Sequence, residues 1–72
     1  MSTVHLDTLT RIESAIAEAV ARIERQRQMI ADFQSHGYDV RVPLTLLSCL
    51  LVNLRTLEDK RREDLRADAV AL

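Results

Sequence analysis

The sequence predicts an all-α protein, an antiparallel two-helix hairpin (coiled-coil-like) that dimerises into a four-helix bundle. Three observations carry this. The 72 residues are 47% hydrophobic and 29% charged, with one Gly and one Pro, which is too apolar for disorder and too poor in turn residues for a β-sandwich or barrel. Apolar residues step by 3 and 4 through two long segments, the helical period. The only Gly and the only Pro fall close together, between those segments. One domain, residues 1–72, follows from the length.

The first helix is expected over about residues 5–35. Leu9, Ile16, Ile23 and Ile30 alternate with Ile12, Ala19, Gln26 and Phe33 in a heptad seam broken only by Gln26. Gln26 is either buried, pairing with its symmetry mate or Asn53, or wet where the seam bends outward. Val20 and Met29 flank the seam and widen it. Thr10 with Glu13 has the spacing of a capping box, while Leu6 and Leu9 place the start nearer Thr3.

The corner, residues 36–42, has the clearest local signal. His36-Gly37-Tyr38 follows Phe33 at the spacing of a Schellman motif, with Gly37 left-handed and Tyr38 folded back on Phe33. Pro43 suits the first turn of a second helix, where its missing N–H costs nothing; alternatively Asp39 caps a helix that starts slightly earlier. A short corner makes the helices antiparallel, in a register that pairs residues whose numbers add to about 80.

The second helix is expected over about residues 43–68. One stripe holds Leu44, Leu47, Leu51, Leu54, Glu58, Arg61 and Leu65, and a parallel one Leu46, Leu50, Leu54 and Leu57. Two stripes mean two buried faces, and the first helix covers only one. A chain of this size rarely gains more than about 3–5 kcal/mol from one core, so self-association is expected. Met29, Leu47, Leu50, Leu51, Leu54 and Leu57 are the candidates for the dimer seam. Pairs Glu18–Arg22 and Glu58–Arg62 have the favourable i,i+4 orientation.

Chemistry is hard to find. His5 and His36 sit near opposite ends of the first helix with no ligand partners, and no Glu-x-x-His pair occurs. The serines lack a histidine base, and one glycine cannot build a phosphate loop. No catalytic residue, metal site, cofactor or small-molecule substrate is expected, and the chain is read as no enzyme. The net charge of -1 gives no overall basic character. Arg22, Arg25, Arg27, Lys60, Arg62 and Arg66 are the candidates for nucleic-acid contact, gathered in a band around the bundle's middle. The acidic residues interleaved with them favour a solvated ion-pair face instead. The function expected is therefore a non-catalytic protein–protein interaction or adaptor module, a homodimer open to a helical protein partner, with a nucleic-acid-binding regulator as the alternative.

Cys49 has no intramolecular partner and reads as a small buried hydrophobe. The N-terminus lacks a basic-then-apolar leader, and Leu44–Leu54 falls short of the roughly 20 residues that span a bilayer. A cytoplasmic protein without a membrane segment is the expectation. The stretch Ile23-Glu24-Arg25-Gln26-Arg27-Gln28-Met29-Ile30, the corner Gly37-Tyr38-Asp39 and the run from Leu46-Leu47 to Arg61 with Leu65 resemble small, uncharacterised helical-hairpin proteins common in alphaproteobacterial genomes. Pro43 stands where that group usually has a helix former. The resemblance implies the hairpin and a bacterial source, and no activity.

Overall fold

A computed structural model of the chain describes the backbone of residues 2–71 and the side chains of residues 7–67. Two helices, α1 (Ser2–Ser35) and α2 (Arg41–Ala71), pack against each other as a hairpin. The body is a rod of 56 × 15 × 12 Å. α1 runs through Thr10 and Glu13 without interruption, so that pair caps nothing; the start lies near Thr3, as Leu6 and Leu9 implied.

The corner forms as its residue types dictate. The Tyr38 N–H donates to the Phe33 carbonyl (2.9 Å) and the Gly37 N–H to that of Gln34 (3.1 Å), the paired bonds of a Schellman motif. Gly37 has φ +74°, a conformation that residues with a Cβ resist. The Tyr38 ring meets Phe33 edge-on, 5.6 Å between centroids. α2 then opens two residues before Pro43, the arrangement in which Asp39 caps the start. Asp39 Oδ1 accepts the Arg41 N–H (2.9 Å), and the Leu44 N–H donates to the Val40 carbonyl (2.9 Å). Pro43 thus sits in the opening turn, where an N–H would have had no helical partner.

The register differs from the expected one. Gln26 Nε2 donates to the Pro43 carbonyl (3.0 Å), and Glu13 pairs with Arg61 (3.6 Å). The numbers in these pairs add to 69 and 74, and because side chains lean toward their helix N-termini the levels match near 70. The first turn of α2 therefore lies beside Gln26, nine residues or about 13 Å back from the end of α1. A corner that merely reversed the chain would have given 80. This one reverses at Gly37 and then spends the non-helical residues 38–40 returning along α1. In the observed register Ile23 comes level with Leu47, Ala19 with Leu50, Ile16 with Leu54 and Ile12 with Leu57.

The core is narrow. Ile12, Ala19, Ile23, Gln26 and Ile30 of α1 are buried, facing Pro43, Leu47, Leu50, Leu54 and Leu57 of α2. Of these α2 residues only Pro43 is fully buried and the leucines are half-buried. The α2 face thus draws on both expected stripes, and past Leu57 its next half-buried residue is Asp64, while Leu65 lies exposed at its edge. Gln26 is only 6% exposed, so the buried alternative holds, with a backbone carbonyl as its partner in place of Asn53.

Candidate interaction surface

Thirteen consecutive residues of α2, Val42 to Leu54, include no charged side chain. Only one side of that segment can face α1. Val42 is 79% exposed, Val52 67% and Leu46 50%, and Leu44 and Leu51 are exposed as well. Cys49 is also exposed. Its apolar neighbours suggested burial, but it lies two residues past Leu47, about 200° around the helix, on the side away from α1.

Of the six residues expected at the dimer seam, Leu47, Leu50, Leu54 and Leu57 face α1 within one hairpin and keep part of their surface outside. Leu51 and Met29 are exposed, and they lie on opposite edges of the contact between the helices. All six candidate nucleic-acid residues are exposed, but the structure does not gather them into one band. In the observed register Arg22, Arg25 and Arg27 lie level with residues 43–48, and Lys60, Arg62 and Arg66 level with residues 4–10. The two groups stand about 18 Å apart along the rod, counted at 1.5 Å per residue. In the second group Arg62 pairs with Asp59 (3.4 Å), in place of the Glu58 expected from its spacing, beside the Arg61–Glu13 pair.

One serine does lie beside a histidine, although none was expected to have a histidine base. Ser35 Oγ lies 3.3 Å from His36 Nδ1. This is not a nucleophile with its base. The Ser35 hydroxyl donates to the Asp32 carbonyl (2.8 Å), and so does His36 Nδ1 (2.8 Å). Both side chains add to the His36 N–H (3.2 Å) on one carbonyl, gathering the last donors of α1 at Asp32. The His36 ring stacks on Tyr38, 5.4 Å between centroids, and completes the corner. On the other side of it, the Arg41 guanidinium and N–H hold the Asp39 carboxyl below its usual range.

An open groove of about 250 Å³ lined by Glu58, Arg61, Arg62 and Leu65 lies along α2. Among the described residues no three His, Cys, Asp or Glu side chains gather to hold a metal, and no described helix is long and apolar enough to cross a membrane. His5 lies outside the described side chains. No known family model matches the chain, and no curated protein or solved structure is detectably similar to it.

Proposed function

We propose that the chain is a non-catalytic interaction module that self-associates, two hairpins closing a four-helix bundle through the uncharged half of α2. The observation that carries this is the exposure of Val42–Leu54 on several sides at once, since a helix that is apolar around its circumference needs neighbours on more than one side. The surface area supports it. The chain exposes 5765 Å², against roughly 4,500 Å² for a compact monomer of 8.2 kDa. Two copies expose twice that area, whereas a compact body of twice the mass would expose roughly 7,500 Å². The difference, about 4,000 Å², falls within the range buried by obligate homodimers.

Sedimentation equilibrium at micromolar concentration tests the reading. A mass of twice 8.2 kDa supports it, and a folded monomer overturns it. The same exposed leucines would serve a helical protein partner by the same packing. The nucleic-acid reading loses support from the separation of the arginines into two groups; RNA or DNA retarded in a gel at low salt, and released as salt rises, would revive it.

A further inference from the structure

The self-association proposed above leaves open which side of the hairpin meets the second copy, and the geometry of the two edges separates them. Val20 and Met29 are nine residues apart on α1, two and a half turns, so they lie on opposite edges. Leu44 and Leu46 are two residues apart, about 200°, and are likewise divided between the edges, whereas Leu44 and Leu51, seven apart, share one. Val20 follows the buried Ala19 by one residue, Leu44 follows Pro43 and Leu51 follows Leu50. In an antiparallel pair of right-handed helices, residues that follow their seam positions in this way come to the same side. Val20 and Leu51 also match in level, their numbers adding to 71.

One edge therefore carries Val20, Leu44 and Leu51 together, each 40–50% exposed. Ala17 and Ser48 lie just outside them, small enough to let a second backbone approach. Charges border this patch, Glu24 and Arg27 beside Leu44 and Glu13, Arg55 and Glu58 toward the open end. An apolar centre with a charged rim is the anatomy of an interface. The opposite edge carries Met29, Val42, Leu46 and Cys49, and there Arg22 falls between Met29 and Ala15 and comes level between Leu46 and Cys49, which interrupts the apolar surface.

We infer that the edge formed by Ala17, Val20, Leu44, Ser48 and Leu51 is the face on which a second copy of this chain docks. The two-fold axis runs along the hairpin, so that α1 of each copy lies on α2 of the other. That axis preserves levels. It sets Val20 against Leu51 of the partner subunit and Glu13 within two residues' rise of Arg55 of the partner subunit, twice over. An axis across the hairpin would reverse the levels and set Leu44 against Glu58 of the partner subunit. The area excess worked out above is what a second copy, in place of a single short helix, would remove.

The test uses sedimentation equilibrium of the full chain, with helicity followed by circular dichroism. Leu51→Lys is expected to weaken association at least about tenfold while the hairpin stays helical, because Leu51 lies outside the seam. Leu46→Lys makes the same exchange on the other edge and is expected to leave the dimer intact. If Leu51→Lys loses its helicity, Ala17→Arg gives the same reading from an exposed position on α1. Arg55→Glu is expected to weaken the dimer, and adding Glu13→Arg together with Arg61→Glu, which keeps the pair within the hairpin in reverse, to restore it. A dimer that survives both Leu51→Lys and Ala17→Arg, or yields to Leu46→Lys instead, overturns this face and leaves the self-association reading standing. Failure of the charge exchange to restore association overturns the axis. A monomeric wild type overturns both readings.

Discussion

Replacing Gly37 isolates a single physical quantity. An added Cβ at this position meets no atom within 4 Å, so the substitution creates no clash and all its cost lies in the backbone. The φ of +74° is the left-handed region, which costs an L-residue about 1–2 kcal/mol. Gly37→Ala also removes freedom from the unfolded chain, which returns about 0.4–1 kcal/mol. The net loss is about 1 kcal/mol, or a fall of about 4–8 °C in Tm for a chain of this size. D-alanine at the same position is the decisive comparison, because positive φ is its own preference. A synthetic chain carrying it keeps the entropic gain, pays no strain and is expected to melt above the wild type. Thermal unfolding followed by circular dichroism at one fixed chain concentration measures both, since melting of an associating protein depends on concentration. If the two enantiomers lower Tm equally, the cost is steric and the left-handed corner is refuted.

Asp64 occupies a seam position, and its Oδ2 is buried without a hydrogen-bond partner among the described residues. Asp64→Leu is expected to stabilise the hairpin by about 1–2 kcal/mol, by relieving an unpaired oxygen and improving helix propensity; an unchanged or lowered Tm counts against that reading of the seam. Arg41 lowers the Asp39 pKa below its ordinary 3.8. The linked stability is therefore fully present above pH 3.8 and is lost as pH falls through the lower folded value. Asp39→Asn should flatten the acid limb of a Tm–pH profile below about pH 4 and leave the slope between pH 5 and pH 7 unchanged; identical acid limbs would remove the cap. Gln26→Leu should keep the helices but loosen the register, because a slip by one heptad moves the helices about 10 Å past each other. Spin labels at Glu24 and Thr45, in a Cys49→Ser background, should then report a broadened distance distribution, and a single unchanged distance would deny Gln26 its register role.

The class of fold and the corner were legible because each depends on local pattern. A step of 3 and 4 declares a helix whatever it packs on, and Phe33, Gly37 and Tyr38 carry their roles in their spacing. Register was not legible in the same way. Leucines stand at 44, 46, 47, 50, 51, 54 and 57, so several stripes offer α1 an equally apolar face. The face used takes Leu54 from both expected stripes, Leu47 from one, Leu50 and Leu57 from the other, and adds Pro43 and Asp64 from neither. The face in use is marked by a side-chain-to-carbonyl bond, Gln26 to Pro43, of which the sequence displays only the Gln. The miss at Cys49 has a related cause. Sequence neighbours report how apolar a segment is, while burial depends on how many sides of it are covered.

The candidate surface follows from the register more than from composition. Were residues adding to 80 paired, Arg22, Arg25 and Arg27 would lie beside Asn53–Glu58, and cations from both helices would meet midway along the rod. Moving the level match to about 70 carries the same arginines up beside Val42–Leu54. There they frame the one stretch of α2 that has no charge of its own. Lys60, Arg61, Arg62 and Arg66 of α2 are left at the open end, where Glu13 and Asp59 already engage two of them. A five-residue corner that doubles back along α1 thus divides the rod into an end that carries ion pairs and an end that exposes apolar surface. On the proposed self-association it is the second end that supplies the contact, since it leaves apolar side chains exposed beyond those that α1 covers.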